Sequence, residues 1–408
     1  MAKVAIMGHG VVGSGVAELL IDHASTIEKR ANECLEVKHI LDLRSFPGLS
    51  YSDKFTTDFE VIASDPEVSI VAEVMGGLHP AYEFVSRCLS AGKSVVTSNK
   101  ELVAMKGAEL LALAKENGVN FLFEASVGGG IPVLHPMMQC LAANSFSQIS
   151  GILNGTTNFI LTKMIREQMS FDDALKLAQQ LGYAERNPAA DVEGLDACRK
   201  ICILASIAFG KHIYPDSVHT EGITKITLAD VDYAEDYGCV IKLLGHAEQT
   251  ADGRTAALVA PFLVRRDNPL SVVDDVFNAV MVTGDATGDV LFYGKGAGKL
   301  PTASAVVSDM IECAKHPTGM TYPAWADGTA DDAANAGNQA FPRYVRCTGV
   351  TAGDIKAFGD VTVLHRNGGA GELAFVTAPM DGDTLAAAMA AVAAAGGTVL
   401  GCLRVAAF

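Results

Sequence analysis

The opening of the chain constrains it most. The apolar run "KVAIMG" passes directly into "GHGVVGSG", which places Gly8, Gly10 and Gly13 in a G-x-G-x-x-G spacing. Between a strand and a helix, the first glycine of such a turn permits a tight bend. The second lets backbone approach a pyrophosphate, and the third lets helix and strand pack closely. The residues that follow, "VVGSGVAELL", are apolar and supply the helix. Gly8, Gly10, Val11, Val12 and Gly13 are therefore expected to cradle a dinucleotide phosphate at a helix N-terminus.

The first third continues the same pattern. "VKHILDL", "VSIVAEVMG", "SVVTSN" and "VNFLFEASV" are short β-rich runs, separated by helical stretches such as "HPAYEFVSRCLSAGK" and "KELVAMKGAELLALAKENG". Continuous apolar strands alternating with helices predict a parallel sheet covered on both faces. Right-handed crossovers then give an α/β, doubly wound, Rossmann-type domain. Asp42 closes the second run, where an acid can hold a ribose 2′-hydroxyl and favour NAD. Arg44, two residues on, can instead meet a 2′-phosphate and favour NADP, or simply pair with Asp42. The sequence leaves that choice open.

A chain of 408 residues exceeds one ordinary core, so further domains follow. After "GGGIP" the texture becomes mixed: helical "FDDALKLAQQLG" and "LDACRKICILASIAFG", and β-like "ALVAPFLV" and "VFNAVMVTG". We expect a dinucleotide-binding domain at 1–130 that regains 296–316 through "GKGAGKLPTASAVVSDMIECAKH". An α+β catalytic and dimerisation domain spans 131–295. A linker follows at 317–338, and a small C-terminal α+β domain at 339–408.

A formal net charge of −16 excludes a nucleic-acid or anionic-membrane partner, for want of a basic patch. The nine cysteines show no CxxC spacing, so reduced thiols and a cytoplasmic location are expected rather than a disulfide scaffold or zinc site. No apolar run is long enough to span a bilayer, and the first residues lack a signal-peptide layout.

The densest chemistry lies in "GYAERNPAADVEGLDACRK", Gly182 to Lys200. Asp196 and Lys200 are four apart in a helical pattern and share one face. On a surface they would be a weak exposed ion pair. The apolar "CILASIAF" that follows predicts a buried helix, in which charges at the mouth need a purpose. Lys100 ends "VVTSNK", at the carboxyl end of a strand, where ligands of such sheets bind. Solvation is the ordinary alternative, but a lysine is unfavourable at a helix N-terminus. Glu193 reads as solvated.

Five stretches in order, the opening turn, "SNKELVA" (98–104), "EASVGGGIP" (124–132), "GILNGTTNFIL" (151–161) and "YGKGAGKLPTASAVVSD" (293–309), resemble the homoserine dehydrogenase family. The resemblance covers nearly all of residues 1–316. It implies NAD- or NADP-linked interconversion of L-aspartate 4-semialdehyde and L-homoserine, in a homodimer or homotetramer. It implies Lys200 as general acid, Asp196 as its orienting group, and Lys100 beside the nicotinamide, sharing proton transfer. Glu185 and Asp191 resemble the ligands of the substrate amino group and hydroxyl, with Gly182, Asn154 and Thr156 lining the cleft. Ser98, Asn99 and Gly298 would touch the cofactor. The main-chain oxygens of Glu124, Val127, Gly129 and Ile131 would hold a monovalent cation, usually sodium.

Two departures stand out. Asn187 replaces a common Asp, and the last 70 residues match an ACT-like β-α-β-β-α-β order only loosely, without a clear effector turn. Three other readings remain: a dehydrogenase of another amino-acid-derived aldehyde, an aspartate-semialdehyde dehydrogenase, and a non-enzymatic nucleotide sensor. The second needs a thiolate nucleophile, and Cys140, in a helical context, does not supply one. A sensor would have no need of both Lys100 and Lys200.

Overall fold

The computed structural model describes residues 1–320 and 325–408. Its first sheet has six strands: β1 (Ala2–Met7), β2 (Leu35–Leu41), β3 (Phe55–Thr56), β4 (Val68–Glu73), β5 (Ser94–Thr97) and β6 (Phe121–Leu122). All pair in parallel, in the order β3-β2-β1-β4-β5-β6, which is the doubly wound order of dinucleotide-binding domains. The expected runs form β1, β2, β4 and β5. The run at 119–127 pairs over only two residues and then bends into a turn at Glu124–Ser126. The helices Val11–Asp22, Ala81–Ser90 and Lys100–Glu116 cover the sheet. A later helix, Lys299–Lys315, packs on Val11–Asp22 and adds Ala303, Val306, Val307 and Met310 to the core beneath β1.

The second sheet is mixed and has eleven strands. In the middle of the chain are β7 (Phe146–Ile152), β8 (His219–Thr220), β9 (Cys239–Gln249), β10 (Thr255–Arg265), β11 (Phe277–Gly284) and β12 (Gly288–Lys295). Later come β13 (Ala333–Ala334), β14 (Arg343–Thr348), β15 (Val361–Leu364), β16 (Glu372–Thr377) and β17 (Thr398–Val405). Most of the sheet runs β12-β11-β7-β9-β10-β17-β14-β16-β15, with β8 and β13 also on β10. β10 and β11 match the expected runs. β7 and β9 have no clear signal in sequence. Lys242 interrupts the apolar run of β9, yet it is buried, with Nζ donating to Asp274 Oδ1 at 3.2 Å. On one face lies the buried helix Leu195–Phe209.

Among the last four strands the pairing order is β17-β14-β16-β15, all antiparallel, as in a split β-α-β unit. The second crossover is the helix Gly382–Ala394, but the first holds only a three-residue turn, Lys356–Phe358. That reduction explains the loose match in sequence. β17 pairs in parallel with β10 at Phe262–Arg404 and Leu263–Val405, so these strands extend the middle sheet. Part of the expected linker, 321–324, lies outside the described residues. Just after it, Trp325 is buried and donates from Nε1 to His212 Nδ1 at 2.9 Å. No helix among the described residues is long and apolar enough to cross a membrane.

Candidate active site

The segments that leave β1, β4 and β5 at their carboxyl ends face the middle unit across a cleft of about 1000 Å³. On the sheet side stand Val11, Val12, Ser98, Asn99 and Lys100. On the other stand Asn154, Thr156, Gly182, Glu185, Asp191, Asp196 and Lys200, and Gly129 and Gly298 lie on its margin. Gly8, Gly10, Gly13, Asp42 and Arg44 lie outside this lining, as do Glu124, Val127 and Ile131.

Below the cofactor wall, the glycine turn is as tight as its sequence implies. A Cβ on Gly13 would lie 1.9 Å from the Gly8 carbonyl oxygen. Gly10 is the N-cap of the helix Val11–Asp22 and gives it no side-chain cap, so the first N–H groups remain available for an anion. Asp42 is partly buried beside the turn. Its Oδ2 accepts the His9 N–H and an Arg44 NH2 proton, at 2.8 and 2.9 Å. Its Oδ1 accepts the Arg44 N–H and Nε–H, both at 2.9 Å. Arg44 also donates to the His9 carbonyl and lies over the Phe46 ring. The Arg44 bond, working against burial, holds the Asp42 carboxyl well below the usual range.

Asp196 and Lys200 form a buried pair at the start of the helix Leu195–Phe209, 2.7 Å apart, rather than an exposed one. Lys200 Nζ also donates to the Leu153 carbonyl at 2.7 Å. Lys100 reaches Asp196 Oδ1 from across the cleft at 3.1 Å, so one carboxylate bridges both lysines. Asn154 Nδ2 donates to Asp196 Oδ2 at 2.9 Å and to Asp191 Oδ1 at 2.7 Å. Burial opposes the charge on Asp196, but Lys200 and Lys100 outweigh it and hold the carboxyl well below its ordinary range. At Asp191 burial prevails over the Asn154 bond and raises the carboxyl above its usual value. Two ammonium groups held by one carboxylate, one buried and one at the rim, place proton donors at the cleft. Thr156 Oγ1 donates to the Tyr183 carbonyl at 2.6 Å and ties the helix Gly155–Glu167 to the 182–185 turn.

Both ends of the Asn99 side chain are occupied. It caps the helix Lys100–Glu116 through Leu102 N–H at 3.1 Å, and donates to the Gly77 carbonyl at 2.6 Å. Asn99 thus shapes the 74–77 loop and lines the cleft beside Ser98 and Lys100. The Glu124 side chain accepts the N–H groups of Val133, Leu134 and His135. Its neighbour Gly129 has φ +57°, and a Cβ there would lie 2.5 Å from the Gly296 carbonyl oxygen. Only glycine lets this loop lie so close to the 296–298 segment. Cys140 lies beyond the short helix Leu134–Met138 and is exposed.

Sequence reasoning overlooked Glu73. Its carboxylate accepts from Thr97 Oγ1 at 2.6 Å and from the Met75 and Gly76 N–H groups at 2.8 and 3.3 Å, holding a loop that lines the cleft. The available signal was an acid closing the apolar core strand "SIVAE". Arg199 and Glu101, also on the cleft wall, were overlooked as well.

Comparison with known proteins agrees with this geometry. Residues 8–124 match the family model described as homoserine dehydrogenase, NAD binding domain, and residues 132–311 match homoserine dehydrogenase. The homoserine dehydrogenase of Synechocystis sp. is 46% identical, over 76% of this chain and 72% of its own. That of Pseudomonas aeruginosa is 45% identical, over 78% and 73%. A solved homoserine dehydrogenase from Thiobacillus denitrificans superposes with a TM-score of 0.92 at 35% identity, covering 99% of this chain and 98% of its own. A hyperthermophilic archaeal homoserine dehydrogenase mutant, solved in complex with NADPH, superposes at 0.65 and 27% identity, covering 76% of this chain and 97% of its own. With a nicotinamide-nucleotide domain, a paired-lysine cleft and these relatives, the chain belongs to the homoserine dehydrogenase family.

Proposed function

We propose that the protein interconverts L-aspartate 4-semialdehyde and L-homoserine with a nicotinamide cofactor. The observation that carries this reading is Asp196 bridging Lys100 and Lys200 opposite the glycine turn. The cofactor supplies a hydride to the aldehyde carbon. Negative charge then develops on the carbonyl oxygen, and Lys200 Nζ gives that oxygen its proton. Asp196 and the Leu153 carbonyl hold the Lys200 ammonium in place. Lys100, at the cleft rim, is the second ammonium on Asp196 and shares the proton transfer. Glu185 and Asp191 take the substrate ammonium, and Gly182, Asn154 and Thr156 complete that side. The N–H groups of Gly155 and Thr156, ahead of the Thr157 N–H that Asn154 caps, would meet the substrate carboxylate.

The finer cofactor reading is NADPH. A carboxylate offers about four acceptor positions, and on Asp42 the turn and Arg44 fill them all. No position is left for a ribose 2′-hydroxyl. Among the described residues, no hydrogen bond uses the second amino group of the exposed Arg44, which suits a 2′-phosphate. Ser98, Val11, Val12 and Gly298 line the rest of that site.

A monovalent cation fits the 124–131 loop. Among the described residues, no hydrogen bond reaches the main-chain oxygens of Val127, Gly129 and Ile131, which are buried. Buried carbonyls without partners suit a hard cation, with the Glu124 carbonyl completing the set. We also assign 1–130 with 296–316 to cofactor binding, 131–295 to substrate and self-association, and 339–408 to an ACT-like unit. A homodimer or homotetramer is supported by the edge strand β12, which carries exposed Leu291 and Tyr293.

The test is turnover of aspartate semialdehyde with NADPH and with NADH, with and without sodium, beside other small aldehydes. Selective turnover, a higher kcat/KM with NADPH, and loss of that advantage in Arg44→Ala are expected. Equal use of every aldehyde would overturn the substrate assignment, and unchanged preference in Arg44→Ala the cofactor assignment.

A further inference from the structure

The two catalytic lysines sit on different units of the fold, and each has a neighbour of matching role. Glu101 follows Lys100 in the first turn of the helix Lys100–Glu116, and Arg199 precedes Lys200 in the helix Leu195–Phe209. These helices pack on each other. Arg199 NH2 meets Glu101 Oε1 at 2.8 Å, both partly buried, and both line the cleft. Two ion pairs therefore join these helices with opposed polarity: Lys100 to Asp196, and Arg199 to Glu101.

We propose that the Arg199–Glu101 pair is a positioning pair that locks the helix carrying Lys100 to the helix carrying Lys200 and fixes the two ammonium groups around Asp196. One ion pair between two helices is a pivot, about which they can still rotate. A second pair, three residues along one helix and one along the other, removes that rotation. Glu101 also neutralises the guanidinium, so that Arg199 does not stand as a third bare cation competing with both lysines for Asp196. Neither residue touches the reacting atoms, and their effect passes through Lys100 and Lys200. The inference rests on the proposed reaction for its kinetic consequence, but its structural core does not.

A double-mutant cycle tests it, with Glu101→Gln, Arg199→Gln and the double variant in the full-length protein. Each single variant is expected to lower kcat by roughly tenfold, because small misplacement of catalytic groups is costly, while KM for the nicotinamide cofactor stays at the parent value. The double variant is expected to be no slower than the slower single, and Arg199→Lys to keep most of the parental rate. Backbone amides of Leu102 to Ala104 are expected to exchange hydrogen faster in both single variants, without substrate present. Parental kcat in the single variants, or a double variant as slow as the product of the two singles, would overturn the proposal. A parent protein that turns over no semialdehyde would refute the reaction assignment alone; exchange at 102–104 then decides the clamp, and unchanged exchange overturns it.

Discussion

Replacing Asp196 with Asn is the sharpest probe of the site, because it changes one atom and little volume. The parent carboxylate lies between Lys200 at 2.7 Å and Lys100 at 3.1 Å, and also accepts from Asn154 at 2.9 Å. The amide removes the negative charge and brings an NH₂ group against ammonium groups that cannot accept from it. Lys200 stays buried, with the Leu153 carbonyl as its remaining partner. Removing one member of a buried pair costs about 3–5 kcal/mol. We take the lower end, about 3 kcal/mol, because Lys100 is at the rim and Lys200 keeps the Leu153 carbonyl. That corresponds to a fall of about 6–12 °C in the unfolding transition of the unit holding this helix. The pH dependence has a definite sign. The folded carboxyl titrates below its unfolded value, so its contribution is complete above about pH 4 and fades as pH falls further. The melting gap between parent and Asp196→Asn should be equal at pH 7 and pH 5 and close only in stronger acid. Thermal melts followed by circular dichroism measure this, beside turnover, which should fall at least about 100-fold. A variant that melts with the parent, or a gap already closing between pH 7 and pH 5, would refute the reasoning.

Other expectations follow from the same cleft. Lys200→Ala should cut kcat at least about 100-fold, while cofactor binding, followed by nucleotide fluorescence, stays near the parent value; normal turnover would remove Lys200 as proton donor. Gly13→Ala, whose new methyl would lie 1.9 Å from the Gly8 oxygen, should abolish measurable cofactor binding or the fold of the turn, and a variant with parental affinity would contradict that geometry. Glu73→Ala should leave the Met75 and Gly76 N–H groups without their carboxylate, destabilising by about 1–3 kcal/mol, and an unchanged melting temperature would show that the loop needs no anchor.

How far the sequence could be read depended on how local each signal was. The glycine turn, the core strands and the Asp196–Lys200 spacing are local, and the residues carry them directly. The meaning of Asp42 was not local. It depends on where the Arg44 side chain turns, which two nearby letters do not say. Lys242 and Glu73 show a second limit: a charge inside an apolar run looks like an interruption until its partner, far along the chain, is known. The reduced first crossover of the C-terminal unit was similarly hidden, because Ile355 and Phe358 do the packing of a missing helix with a three-residue turn.

The pairing of β17 with β10 has a consequence for how the chain is made. β10 belongs to the middle of the sequence and β17 to its far end, so during synthesis one side of β10 leaves the ribosome well before its neighbour exists. Until β17 arrives, that side is an open row of backbone donors and acceptors on an almost wholly apolar strand, ready to recruit a strand from another nascent chain. The short β8 and β13 strands, which pair with β10 at Leu258–Val259 and Thr255–Ala256, lie earlier in the sequence than β17 and can shield part of that side first. Slow translation after β13 would therefore be more hazardous to yield than slow translation before β8.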